Sequence, residues 1–439
     1  MLVRFIKNFK NQYLTGKSFT ANVLTLTTGT AVAQAITIVA TPILVRIYTP
    51  KDFGLLAVLT TITGTVSIVA SWRYETAIVL PDNDEDAVNL LVLCIMIALG
   101  MTGLSLLVIG LFHQQITFWL KEPELEPWLW TVPPSLLLIG LYQALSYWST
   151  RKQDFNWLSI SRVSQFTVTI ASQVAIGLLA KSGAIGLVSG QIFGQFVGTA
   201  VLAGQIWRSY QVQLRKVVNW EGIKSQAKRF KKFPIYTSLP SLLDSLAVVM
   251  PVLFFTNVFG TTTTGYFSLA TRIINLPSSL ISASVSQAIL PRLALDKAQT
   301  STTAPLVEKV LNRLMILALS LFIVMQFSPL LFQIILGKTW LIAGIYAKIM
   351  AAAVTIRLVV SPLSVVLIAY EKQEILAYWQ LTYMISTALA LSLSSFYSNP
   401  VVSLYFLVLN EVILYLIYLR LILKISQASF LKSIGLSKN

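Results

Sequence analysis

Residues 87–112 read AVNLLVLCIMIALGMTGLSLLVIGLF, 26 positions without one charged side chain. A bilayer core about 30 Å thick takes about 20 helical residues to cross, so this run is long enough to span it. Comparable runs recur along the chain and predict spans at 20–46, 54–79, 87–112, 127–148, 157–180, 184–207, 236–259, 265–290, 308–332, 341–369, 375–396 and 400–423. Only 11% of the 439 residues are charged, whereas a soluble chain needs about 25% to cover its surface. A closed barrel would show alternating strands of about 10 residues; these runs are continuous, which selects helices. The expected fold class is therefore an all-α integral membrane protein of about twelve spans. The first span is the most polar, carrying Thr25, Thr27, Thr28, Thr30, Thr37 and Thr41. Residues 2–10 place Leu2, Phe5, Ile6 and Phe9 so as to lie on a membrane surface as a short amphipathic segment.

Little in the sequence supports soluble chemistry. The single cysteine, Cys94, precludes an internal disulfide, and with the single histidine, His113, it cannot build a clustered metal site. Thr15-Gly16-Lys17-Ser18 resembles half a phosphate-binding loop, but Asn11 stands where the first glycine is required. No catalytic residue, cofactor or metal is expected. The net charge of +16 is read through its placement relative to a bilayer, not as a nucleic-acid signal.

Alternate loops divide the charge unequally. Of 33 Lys and Arg, 23 fall on the side holding both termini and five (Arg46, Lys51, Lys121, Lys181, Lys338) on the other. Basic loops stay in the cytoplasm, so both termini are expected there, in a cytoplasmic membrane. Residues 81–86, PDNDED, are acidic yet fall on the basic side.

The chain also repeats itself. Phe53-Gly54-Leu55 through Ile78-Val79-Leu80-Pro81 parallels Thr264-Gly265-Tyr266 through Ile289-Leu290-Pro291, offset by 211 residues at the glycines and 210 at the prolines. This predicts an N-terminal lobe of six helices (1–207), a basic cytoplasmic loop (208–235) and a C-terminal lobe of six helices (236–439), related by an axis along the membrane normal.

Ionisable groups at bilayer depth are costly and mark function. The set is Arg73 and Glu75 in span 2, Arg162 in span 5, Asp244 in span 7, Arg272 in span 8, Lys348 and Arg357 in span 10, and Glu411 in span 12. Five cations outnumber three anions, which leaves positive charge for an anionic ligand. Arginine's planar fork suits phosphate. Arg73 and Glu75 lie near a helix end, where snorkelling to the interface competes with substrate contact. Asp244 and Glu411 are candidates for an ion pair or for a coupling ion, and Glu75 joins them. Gly186, Gly190, Gly194 and Gly198 form a four-residue ladder on span 6 whose plainest reading is close helix packing.

Arg46-Ile47-Tyr48-Thr49-Pro50-Lys51-Asp52-Phe53-Gly54 and Arg73-Tyr74-Glu75-Thr76-Ala77-Ile78-Val79-Leu80-Pro81 resemble the polysaccharide biosynthesis (oligosaccharide flippase) family of the multidrug, oligosaccharidyl-lipid and polysaccharide exporter superfamily. The resemblance implies two six-helix lobes around a central cavity opening alternately to either side. It implies translocation of an undecaprenyl-pyrophosphate-linked oligosaccharide, with Arg46, Arg73 and Arg272 holding the pyrophosphate; Arg357 and Lys348 join them as intramembrane cations. Membrane lipids, a glycan polymerase and the assembly machinery are the implied partners, and nucleic acid is not. An ion-coupled exporter of small molecules is the alternative within the superfamily, although its cavity should be acidic. A membrane polymerase is disfavoured by the longest outer loop, 113–126, which is short and has no acid–base constellation.

Overall fold

A computed structural model describes residues 17–180, 183–300 and 303–429, and the described residues contain no strand. The surface segment expected at 2–10 lies outside them. The principal helices are α1 (Lys17–Ile47), α2 (Pro50–Ser67), α3 (Asp84–Leu120), α4 (Val132–Arg151), α5 (Phe155–Ala180), α6 (Ala184–Val217) and α7 (Trp220–Arg229). They continue with α8 (Leu239–Thr300), α9 (Ala304–Gln326), α10 (Ser328–Ile335), α11 (Leu341–Val360), α12 (Gln373–Ser394) and α13 (Pro400–Ser426).

Hydrophobic length makes these helices, and local chemistry ends them. Asn399 caps α13 by accepting a hydrogen bond from the Val401 amide (2.9 Å), with Pro400 in the first turn where its missing N–H costs nothing. Pro329 sits at the 59° break between α9 and α10. In α3 the mean hydropathy reaches 2.6, yet only 17% of that stretch is buried. Leu99, Leu104, Leu107 and Leu111 are among its exposed side chains. Water would not tolerate such a face, and lipid does.

Several span expectations need correction. Among the described residues, six helices are long and apolar enough to cross a membrane, or eight if the two bent pairs each count as one span; a total of twelve is not established. Spans 236–259 and 265–290 lie on the single element α8, interrupted only at Gly260 (φ 82°, ψ 168°). That backbone conformation is open to glycine and very little else, so the join between two rods shrinks to one residue. Span 54–79 is shorter than expected because α2 stops at Ser67. The basic stretch 208–235, expected to be a loop, is largely helical, comprising the end of α6 and all of α7.

The chain forms two compact units: residues 1–48, 59–118 and 123–241, and residues 49–58, 119–122 and 242–439. In the first, α5 packs along both α1 and α6, and α4 packs on α6. The glycine ladder makes the α5–α6 seam. A β-carbon at Gly194 would stand 2.6 Å from the Gln165 carbonyl oxygen, and one at Gly190 2.9 Å from the Gln173 amide nitrogen. Tyr48 donates to the Gln173 carbonyl (2.6 Å), and Gln173 Nε2 to that of Leu187 (3.0 Å). Trp148, Leu90 and Leu202 anchor the apolar core of this unit. In the second unit α11 is central, packed by α9, α10 and α13, over a core that includes Leu358, Leu363, Val366 and Ile422.

The acidic turn at 81–86 finds its explanation in the first unit. Asp84 lies between Arg151 (Nη2 at 3.2 Å) and Lys152 (Nζ at 2.5 Å), and Arg151 also donates to the Pro81 carbonyl at 2.7 Å. Asp86 accepts from Gln226 Nε2 (2.6 Å) and pairs with Arg229 (3.4 Å) on α7. The acids are thus internal counter-charges to Arg151, Lys152 and Arg229. Asp84→Ala is expected to cost about 1–2 kcal/mol, since two partly buried cations lose their partner. A double-mutant cycle with Arg151→Ala should return a coupling of about 1 kcal/mol; additive effects would contradict the pairing.

Candidate functional site

The second unit places Asp244 and Arg272 on α8, Lys348 and Arg357 on α11, and Glu411 on α13. Tyr266 meets the rings of Trp340 and Tyr346, the Thr271 hydroxyl lies 3.7 Å from Met350 Sδ, and Asn275 reaches Arg357. Residues 266–275 therefore climb alongside 340–357. Arg272 falls between the levels of Met350 and Arg357, with Lys348 about half a turn before Met350. Arg272 and Lys348 are both exposed, and neither has an acidic partner among the described residues.

Arg357 differs. Its Nη2 donates to Glu411 Oε1 on α13, and its Nη1 donates to Asn275 Oδ1 at 3.4 Å. The same carboxylate oxygen accepts from the Tyr383 hydroxyl at 2.7 Å. Around the pair stand Trp379, Tyr415 and Tyr418, with Trp379 stacked on Tyr418 at 4.2 Å. Glu411 is an ion-pair residue, and Arg357's charge is already answered. Asp244, the other ion-pair candidate, is exposed on α8 and pairs with neither Arg357 nor Arg272 among the described residues. Asn275 and Tyr383 escaped the sequence reading because a neutral hydroxyl or amide in an apolar run carries no charge signal.

In the first unit, Arg46 is exposed in the last turn of α1. Arg73 and Glu75 occupy no helix interior. Beyond Ser67 the backbone turns irregularly, with Trp72 and Arg73 left-handed (φ 49° and 61°), a costly state for side chains of that size. A 3₁₀ turn, Tyr74–Ala77, follows. Tyr74 donates to the Ala227 carbonyl (3.1 Å), holding the turn against α7. Arg73 Nη1 lies 3.8 Å from a buried Glu75 Oε1, while Glu75 Oε2 and Arg73 Nε are buried without a hydrogen-bond partner. Arg162 of span 5 donates to Thr30 at 2.7 Å, which gives the polar first span one purpose. His113 Nδ1 lies 2.9 Å from Glu126 Oε1. No cluster of metal-ligating side chains occurs among the described residues.

The model of the polysaccharide biosynthesis protein family matches residues 43–344. The chain belongs to that family. No individually curated protein matches it in sequence. Among solved structures, this family member is similar to the lipid II flippase MurJ in an inward closed conformation, with a TM-score of 0.72 at 14% identity over 92% of this chain and 90% of the other. It is also similar to an inward-facing multidrug resistance MATE family transporter of the MOP superfamily, with a TM-score of 0.70 at 13% identity over 90% and 95%. A MOP superfamily transporter from Pyrococcus furiosus, described as having reversed polarity of its binding pocket, matches with a TM-score of 0.55 at 14% identity over 94% and 97%. At these identities the likeness concerns the fold alone: an all-helical, multi-pass membrane architecture.

Proposed function

We propose that this protein is a flippase that moves a lipid-linked oligosaccharide, carried on undecaprenyl pyrophosphate, across the cytoplasmic membrane by alternating access. The supporting observation is that Arg272 on α8 and Lys348 on α11 are both exposed and have no acidic partner among the described residues. In hydrocarbon an unpaired arginine is expensive, and a pyrophosphate would supply the missing anion through bidentate hydrogen bonds. Arg46 and Arg73 extend the set, Arg73 through the part of its guanidinium that Glu75 does not engage. Arg357 acts at one remove, as half of the pair that braces α11 on α13. Asp244 and Glu75 are the remaining candidates for a coupling ion. The glycan polymerase and assembly machinery are the partners this reading implies.

Arg272→Ala is expected to reduce export of the surface glycan by about tenfold or more while the protein stays folded and inserted. Arg272→Lys should recover part of it, because the charge returns without the fork. Normal glycan export by folded Arg272→Ala would remove Arg272 from the site. Efflux of organic cations with unaltered surface glycan would favour the small-molecule exporter instead.

A further inference from the structure

The two glycines of the sequence repeat, Gly54 and Gly265, touch each other. A β-carbon at Gly54 would lie 1.8 Å from the Thr261 carbonyl oxygen and 3.1 Å from the Gly265 nitrogen. A β-carbon at Gly265 would lie 1.8 Å from the Pro50 carbonyl oxygen and 3.1 Å from the Gly54 nitrogen. Each glycine faces the carbonyl four residues before the other, so the helices cross about a local pseudo-two-fold axis. Beside them Phe53 meets Trp340 edge to face at 5.3 Å. Glu122 Oε1 accepts from the Thr261 amide at 2.7 Å, and Asn257 Nδ2 donates to the Trp119 carbonyl. Residues 49–58 and 119–122 belong to the second compact unit, although the chain before and after each belongs to the first. By loop alternation all of these residues lie on the side poor in Lys and Arg.

We propose that the Gly54–Gly265 crossing is a separable latch that closes the non-cytoplasmic side and parts once in each transport cycle. This rests on the alternating-access reading, which requires one side to open while the other closes. The chemistry suits repeated opening. At the glycines backbone meets backbone, so no long side chain must be unthreaded there and little rotamer entropy is lost on closing. The local two-fold restores one register each time. Glu122 adds a single charge-assisted hydrogen bond whose donor, a helix-start amide, water satisfies when the latch is open.

The test is accessibility of a reporter thiol. With Cys94→Ser removing the native cysteine, Thr264→Cys sets a thiol at a fully buried position beside the crossing. A membrane-impermeant maleimide applied to the outer face of spheroplasts should label it slowly. Gly54→Ala, Gly265→Ala and Glu122→Gln should each raise the rate by about tenfold, because labelling follows the open population. Gly204→Ala, with no neighbour within 4 Å of its β-carbon, should not. Unchanged labelling in folded Gly54→Ala, or in Glu122→Gln should the glycine variants fail to fold, would make the crossing static packing. Acceleration confined to inside-out vesicles would overturn the side assigned. Neither readout needs the substrate, so a failed latch is distinguishable from a failed flippase assignment.

Discussion

Glu411→Ala is expected to lower stability by about 2–3 kcal/mol, and Arg357→Leu combined with Glu411→Leu to recover most of it. The carboxylate answers both the Arg357 guanidinium and the Tyr383 hydroxyl. Removing it strands a cation among apolar helices, which costs more than the net worth of the pair. The Arg357 side chain retains 32% of its exposure, so the loss falls below that of a fully enclosed pair. Two leucines remove both charges together and spare the desolvation, hence the recovery. Tyr383→Phe deletes one hydrogen bond and should cost about 1 kcal/mol. Thermal midpoints of the detergent-solubilised protein would rank the variants. A double leucine variant worse than Glu411→Ala would mean that Arg357 has some task beyond bracing α11 on α13.

The second large effect lies in the α5–α6 seam. Gly194→Ala is expected to cost about 2–3 kcal/mol, and Gly194→Val to prevent recovery of folded protein. The obstacle is backbone: the Gln165 carbonyl oxygen stands 2.6 Å from the new carbon, and Thr169 is closer still. A side chain can rotate away; a helix backbone moves only with its whole seam. Gly204→Ala, one face away on the same helix and in open space, should be neutral or gain up to about 1 kcal/mol from helix propensity. Size-exclusion profiles and thermal midpoints of the pair decide it. Equal outcomes at the two positions would contradict the packing described.

The two effects differ in how far the sequence announced them. The ladder Gly186, Gly190, Gly194, Gly198 was legible because its spacing is local and its face needs no partner to be recognised. The Arg357–Glu411 pair was not, because the residues are 54 positions apart and Asp244 offered an equally good charge.

By itself the sequence determined the class, an all-helical membrane protein, since hydrophobic length is a local property that lipid reads directly. It also determined the repeat, and with it the glycines that meet at the crossing. Tertiary structure decided the rest. It ended α2 at Ser67, one turn past Gly64 and with no proline to force a break, and left-handed backbone at Trp72 and Arg73 is held by the packing of Tyr74 and Glu75. It turned the acidic 81–86 segment into counter-charge for Arg151, Lys152 and Arg229. It also sorted the intramembrane cations, leaving Arg272 and Lys348 without acidic partners among the described residues while Arg357 is neutralised. Charge can be counted along a chain, but whether it is answered depends on which helices lie side by side.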